Sequence, residues 1–500
     1  MDQHHDVLIV GAGFSGLGAA IRLRQAGRHD FAVLERADDV GGTWRDNSYP
    51  GAACDVPSHL YSLSFAPNPR WSRSFSAQPE IQRYLRSLVT RFDLGRHLRL
   101  GHEMTDARWD DAAGRWRVRT GRGTFTARVL VVGTGPLSEP KLPPLAGLDT
   151  FDGVAFHSAR WRHDRDLAGR HVAVIGTGAS AIQFVPRIAP DVASLTVFQR
   201  TPPWIIPRAD RSITGAERWL YEHLPPTRLA VRAGIWTGRE TLAIGMTVRP
   251  TLLTALAAHA RAHLYRQVPD PELRARLLPD YRIGCKRILL SNDYYPALTR
   301  PNVHVVDTPI ERVEPDAVAT TDGARHPVDT IVFGTGFEAT RPPIADQITG
   351  RDGLRLADAW ADGMSAYRGT TVAGFPNLFL LIGPNTGLGH NSMIYIIESQ
   401  LNYLMTALSK MDEYGIDAVE VDPGAQQAYN EALQRRLGPT VWLTGGCASW
   451  YLDANGRNTT LWPSFTWRFR RLTRTFDPRG YHLRARTEGQ RQCPQQTLAS

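Results

Sequence analysis

Five short strand-like runs punctuate the chain, and each gives way to a glycine-bearing turn. They are Asp6–Val10 before Gly11, Val129–Val132 before Gly133, Val172–Ile175 before Gly176, Thr330–Phe333 before Gly334, and Leu378–Ile382 before Gly383. Apolar runs of this length bounded by turns predict buried strands. After the first run, Phe14 to Gln25 carries apolar residues at helical spacing, Gly27 stops it, and Phe31–Leu34 reads as the next strand. The order recurs from Arg170, with a helix over Ser180–Ile188 and a strand over Leu195–Phe198. Two β-α-β units therefore organise the chain. From 211 to 279 the pattern turns to long Leu/Ala/Arg stretches, which predicts helices inserted in the second unit, either shaping a substrate cavity or forming a scaffold cap. Asn302–Val306 and Thr330–Phe333 return to the second sheet. Leu378–Ile382 and a helix over about Ser392–Leu404 rejoin the first.

The turns after the first and third runs are Gly11-Ala12-Gly13-Phe14-Ser15-Gly16 and Gly176-Thr177-Gly178-Ala179-Ser180-Ala181. Both follow a strand and open a helix, the context of a dinucleotide fingerprint. The first glycine permits a tight turn, the second lets backbone approach a pyrophosphate, and the third small residue lets the helix pack closely. Glu35 lies 24 positions beyond Gly11, and Arg200 lies 24 positions beyond Gly176. An acid there accepts hydrogen bonds from ribose hydroxyls, whereas an arginine there suits a ribose 2′-phosphate. FAD in the first site and NADPH in the second is the simplest pairing. Ser15, Ser180 and Thr201 join the cofactor-binding set.

The fold class that follows is α/β: two Rossmann-like dinucleotide-binding domains, for FAD and NADP, with a helical insertion in the second. The FAD-binding domain takes 1–140 and returns over 377–484. The linker and NADP-binding domain take 141–210 and 280–376, around the insertion at 211–279. Within the linker, 136–148 holds four prolines and reads as a crossing segment. The polar, aperiodic stretch 485–500 reads as a disordered tail.

Composition narrows the function classes. The chain has 500 residues, 42% hydrophobic and 21% charged, with a formal net charge of +9. That charge attracts anions such as NADPH phosphates, but no basic-aromatic interleaving or recognition-helix pattern points to nucleic acid. No stretch of 18 apolar residues predicts a membrane span. The N-terminus runs straight into the first strand with no room for a signal peptide, and His4 and His5 read as exposed leader residues. Cys54, Cys285, Cys447 and Cys493 are far apart and form no Cys-x-x-Cys, which argues against a disulfide framework and fits a reducing, cytoplasmic setting. No metal site is expected.

Further candidates surround the fingerprints. Gly41-Gly42-Thr43-Trp44 lets backbone hug a cofactor, with Trp44 beside the flavin or in the core. Asp55, set among small and apolar residues, calls for a basic partner or a ligand. Asn385, in a turn before an expected helix start, is placed to hydrogen-bond the flavin, with the positive helix end favouring reduced flavin. Lys286 is a second cation for the 2′-phosphate.

Between the fingerprints stands Phe151-Asp152-Gly153-Val154-Ala155-Phe156-His157-Ser158-Ala159-Arg160-Trp161. It resembles the Phe-x-Gly-x-x-x-His-x-x-x-Trp signature of Baeyer-Villiger monooxygenases, and Trp161 separates it from the related N/S-oxygenases. Arg162 follows where the family usually has proline or aspartate, and Asn47-Ser48 precede Tyr49-Pro50-Gly51 where many members have an arginine. Cys285-Lys286-Arg287 and Trp450-Tyr451 also look like the family, and the resemblance spans roughly 5 to 470. It implies that Arg287 is the active-site arginine, Asp55 its carboxylate partner, and Lys286 an NADP phosphate contact. It implies that His157 sits in an interdomain hinge, and that Tyr61 and Trp450 line the flavin or substrate region.

The implied reaction takes a small-molecule ketone, O2 and NADPH and inserts one oxygen beside the carbonyl through a C4a-peroxyflavin, giving an ester or lactone. Most of that reactivity belongs to the cofactor. A guanidinium keeps its proton at working pH and stabilises peroxide or carbonyl oxyanion. Alternatives are a flavin-dependent N- or S-oxygenase and an NADPH-dependent flavin reductase. The expected state is a monomer or homodimer.

Overall fold

The computed structural model describes residues 3–486. Two mainly parallel sheets dominate it. In the first, the strand order runs Ile348–Thr349, Met104–Asp110, Arg115–Thr120, Gly123–Val132, Gln3–Val10, Phe31–Glu35, Leu98–Leu100, and Leu378–Leu380 also pairs with Gly123–Val132. In the second, the order is Val303–Val306, Ser194–Phe198, His171–Ile175, Thr330–Phe333, Val154–His157, all parallel.

The apolar runs are buried on both faces because successive side chains enter different cores. Val7 and Ile9 join one cluster with the helices Phe14–Gln25 and Met393–Glu413, while Leu8 and Val10 join another with Trp109, Trp116 and Phe125. Val172 and Val174 likewise face the helix Ala181–Ile188, and Ala173 and Ile175 face Val313 and Val318. Alternation across a pleated strand produces this division.

Several boundaries move. The first strand reaches back to Gln3, so His4 and His5 belong to it and pair with Thr126 and Ala127. The strand ending at Val132 begins at Gly123; its early half pairs antiparallel with Arg115–Thr120, a hairpin that the apolar runs did not announce. The chain re-enters the first sheet at Ile348–Thr349, earlier than the 377 set by the sequence pattern. Tyr481–Ala485 pairs antiparallel with Ile416–Val421, so the expected tail at 485–500 starts too soon: Ala485 is still a strand residue. The rest of that tail, 487–500, lies outside the described residues.

The expected insertion consists of the helices Gly215–His223, Pro225–Ala243, Thr254–Gln267 and Pro271–Arg276, with a π turn over Ile244–Val248. Among the described residues no helix is long and apolar enough to cross a membrane.

The cysteine expectation is corrected. Cys285 and Cys447, 162 positions apart, are joined as a disulfide, and Cys54 is a free, buried thiol. Sequence spacing gave no sign of the pair because folding, not local spacing, brings those segments together.

Candidate active site

Each glycine turn is locked by contacts that exclude side chains. A Cβ on Gly16 would lie 1.8 Å from the Gly11 carbonyl oxygen, and one on Gly176 would lie 2.5 Å from that of Gly334. Gly11 and Gly176 have φ of +97° and +106°, in the region that favours glycine. Gly13 caps the helix Phe14–Gln25 without a side-chain bond, so no capping side chain takes up the backbone N–H groups at that end. Ser15 is buried and Ser180 half-buried at the corresponding helix starts.

Glu35 is 4% exposed at the end of its strand. Its carboxylate accepts from Ala12 N (2.8 Å), Ala37 N (3.0 Å) and Arg45 Nη1 (2.7 Å), so it shapes the first glycine turn directly. Arg45, which sequence reasoning missed, comes from the helical turn Thr43–Asp46 after Gly42. Gly41 N–H donates to Ala12 O, so this second glycine pair packs on the first. Trp44 is buried in the first core, with its Nε1 donating to the Tyr61 hydroxyl at 3.1 Å. Burial holds the Tyr61 phenol well above its ordinary pKa.

Asn385 is 3% exposed with φ +55°. Its Nδ2 donates to Asn458 O (2.8 Å) and Leu461 O (3.1 Å), while Oδ1 is buried with no partner. An unpaired buried acceptor is costly, and a ligand N–H would satisfy it. The helix that follows starts where the sequence pattern set it: it begins at Met393, capped by Ser392 Oγ accepting from Ile394 N.

The segment carrying Asp55 leaves the first sheet and docks on the second unit. Gln183, on the helix Ala181–Ile188, accepts from Ala53 N (3.0 Å) and donates to Ala53 O (3.2 Å). There Asp55 Oδ2 accepts from Arg287 Nε (2.9 Å) and pairs with Nη2 at 2.8 Å as an ion pair, and Arg287 Nη1 donates to Leu388 O (2.9 Å). The two side chains are 30% and 24% exposed. Burial raises the Asp55 carboxyl, but the charges of Arg287 and Arg239 outweigh it and hold the group below its usual range. Burial opposes the Arg287 charge, and Asp55 more than restores it. A guanidinium has five N–H donors; among the described residues hydrogen bonds occupy Nε–H and one donor on Nη1, and Nη2 stands in ion-pair contact with Asp55, so donors remain for a reacting group.

Arg239 was not anticipated. It lies on the inserted helix Pro225–Ala243 and donates Nη2 to Asp55 O (2.8 Å) and Nη1 to His390 O (3.2 Å). A usable signal was present. The same helix face turns Arg228 and Arg232 inward, whereas Leu229, Ala230, Ala233, Gly234, Thr237 and Gly238 face outward. Arginines confined to the inward side of a helix need acceptors there. Tyr451 is 1% exposed and electrostatically coupled to Arg287; Trp450 packs on Tyr451 but is 47% exposed.

At the second turn, Thr177 Oγ1 donates to Thr201 O (3.3 Å). Arg200 is exposed at the end of Ser194–Phe198, and Lys286 Nζ stands 4.9 Å from the Tyr281 ring centroid. Burial, then the Arg200 charge, pushes the Lys286 ammonium below its ordinary pKa. Among the described residues neither cation makes an ion pair with a carboxylate. Two neighbouring unmatched cations fit an anionic group such as a phosphate.

The motif residues stand apart from Arg287. Val154–His157 is an edge strand of the second sheet; Gly153 is required because a Cβ would meet Asp329 O at 2.2 Å. Phe151 packs on the core under that sheet, and Trp161 packs on Phe156 and Phe184. His157 is 4% exposed, its Nδ1 accepts from Ala159 N (3.1 Å), and its ring meets Phe337 edge-on. Phe337 lies where the two chain crossings run side by side, bridged to Pro140.

Residues 8–215 match the family of pyridine nucleotide-disulphide oxidoreductases. A Streptomyces coelicolor protein named Baeyer-Villiger monooxygenase is 54% identical over 482 residues, covering 96% of this chain and 93% of that protein. The crystal structure of cyclohexanone monooxygenase from Rhodococcus sp. Phi1 bound to NADP+ matches with a TM-score of 0.85 at 30% identity, covering 97% of this chain and 100% of that one. A crystal structure of OTEMO in complex with FAD and NADP matches with a TM-score of 0.85 at 28% identity, covering 96% and 99%.

Burial lowers the His157 pKa from 6.5 to about 4. The unfolded chain therefore binds the proton first, so His157 supports folding fully above about pH 6.5 and loses that contribution as pH falls towards 4. Thermal melts should show His157→Gln flattening the fall in Tm across this window, with a remainder from His59, which burial also lowers to about 4. An unchanged pH slope would contradict the burial of a neutral His157.

Proposed function

The chain belongs to the family of Baeyer-Villiger monooxygenases, and we propose that it binds FAD at the first glycine turn and NADPH at the second, and inserts one atom of O2 beside a ketone carbonyl. The observation that carries this reading is the Asp55–Arg287 pair, formed by segments from the two units, with guanidinium donors left uncommitted among the described residues. When bound and reduced by NADPH, FAD supplies the oxygen-activating chemistry. The chain supplies the rest. The first turn and Glu35 orient the dinucleotide, and Asn385 Oδ1 offers an acceptor to the flavin. Arg200 and Lys286 hold the 2′-phosphate. Arg287 stabilises negative charge on oxygen as the carbonyl is attacked, in a site where fixed donors outperform water. Asp55 and Arg239 hold that guanidinium and its carboxylate in position, and His157 and Trp161 support the crossing between units. The substrate is a small ketone, and the cytoplasm is the compartment that supplies NADPH.

The reading is tested with FAD-loaded protein, NADPH, 18O2 and a panel of cyclic and linear ketones. The expected product is an ester or lactone carrying one 18O, formed with stoichiometric NADPH consumption. Arg287→Ala should lower product formation by about 10²-fold or more while FAD stays bound. Sulfoxide from a sulfide with no ester from any ketone would assign heteroatom oxidation instead.

The phosphate assignment has its own test. Arg200→Ala should raise the NADPH KM by about tenfold or more, the loss of a charge-assisted bond, and leave the NADH KM nearly unchanged. Equal shifts for both nucleotides would remove Arg200 from the phosphate site.

A further inference from the structure

The disulfide joins two irregular segments that both reach the proposed site. Residues 282–288 carry Lys286 and Arg287 immediately after Cys285; residues 445–450 carry Cys447 and lead into Trp450 and Tyr451. Neither segment is part of a helix or strand. They touch closely: a Cβ on Gly445 would lie 2.6 Å from the Cys285 Cβ, and Arg282 N donates to Gly445 O at 2.9 Å. Beyond Gly445 the backbone bonds, such as Leu452 N to Ser449 O, are local to the second segment, so the covalent link and the packing of Cys447 and Tyr451 on the cluster that holds Ile283 and Cys285 fasten it to the arginine-bearing turn. Cys285 is fully buried and Cys447 half-buried, so Cys447 is the more accessible of the two. The thiolate of a redox partner selects by such access.

We propose that Cys285–Cys447 is a thiol–disulfide modification site whose reductant is a dithiol, and whose closed form fixes the Lys286–Arg287 turn for coupled oxygenation. In the reducing compartment that NADPH use implies, a disulfide beside an active site is more often a redox-responsive device than a staple. One thiolate of the dithiol attacks the Cys447 sulfur, the S–S bond breaks, and Cys285 leaves as a thiolate that takes a proton. The second thiol of the reductant then displaces Cys447, which also takes a proton. Two electrons and two protons pass to the protein, and the reductant becomes a disulfide. Reduction frees 445–450 and loosens the turn that carries both cations.

The effect on oxygenation rests on the function proposed above, but the link and its structural effect are measured without it. The experiment compares full-length, FAD-loaded protein as prepared with protein treated with dithiothreitol. Peptide mapping should find a Cys285–Cys447 cross-link in the former and free thiols in the latter. Amide hydrogen exchange should rise over 282–290 and 442–452 and stay unchanged in the strands Gln3–Val10 and His171–Ile175. The ratio of product formed to NADPH consumed should fall at least about fivefold. Cys447→Ser should show both changes without dithiol and no further response to it; if it fails to fold, titration of the wild-type chain with dithiol carries the test. Absence of the cross-link, or its reduction with exchange and coupling unmoved, overturns the proposal. Exchange that rises in a protein making no product from any ketone keeps the modification site and overturns the oxygenase reading instead.

Discussion

The ion pair between Asp55 and Arg287 is the contact on which the functional geometry depends. Its members arise 232 positions apart, one from a segment leaving the first glycine unit and one from a turn in the second. Each half is a layered α/β body, with strands that feed alternate side chains into cores on either face. Neither half alone sets the Arg287 guanidinium beside the Asp55 carboxylate. The pairing requires Gln183 to grip both backbone groups of Ala53, Arg239 to hold the Asp55 carbonyl, and Leu388 O to accept the remaining side of Arg287. The segments of Asp55 and Leu388 thus converge on one guanidinium, Arg239 steadies the first of them, and Asp55 sits between two arginines whose charges outnumber its own.

Local sequence revealed whatever local physics determines. A strand followed by a glycine turn and a helix is a short-range pattern, so both fingerprints, their helices and the acid and arginine at the following strand ends are legible from residues 6–35 and 170–200. Thr330–Phe333 was legible to the residue. What escaped was determined at long range. Arg239 shares one face of its helix with Arg228 and Arg232, a spacing visible in the sequence, but the acceptors that face meets are set only when the helix packs. The Arg115–Thr120 hairpin lacks a continuous apolar run because its strand alternates exposed and buried positions. Cys285 and Cys447 meet only because the insertion returns the chain beside the segment after Leu437.

The motif that most clearly marks the family is not where the charges gather. Its glycine, aromatic and histidine positions are explained by an edge strand packed against Asp329, Phe184 and Phe337. It lies beside the two chain crossings, where His157 and Phe337 meet. A motif can therefore identify a family through the joint between its units, while the reacting groups are supplied by residues elsewhere in the chain. Family membership and site assignment rest on different parts of this molecule, which is why the glycine turns, the paired arginine and the unmatched cations each need their own physical argument.

The most direct measurement is a double-mutant cycle on Asp55 and Arg287, using kcat/KM for NADPH-dependent oxygen insertion and FAD content as a folding control. If Asp55 acts through Arg287, then Asp55→Ala will cost much less in the Arg287→Ala background than in the wild type, a coupling of about 1–3 kcal/mol. Additive losses, with FAD retained in all four proteins, would show that the two residues act independently and would contradict the account.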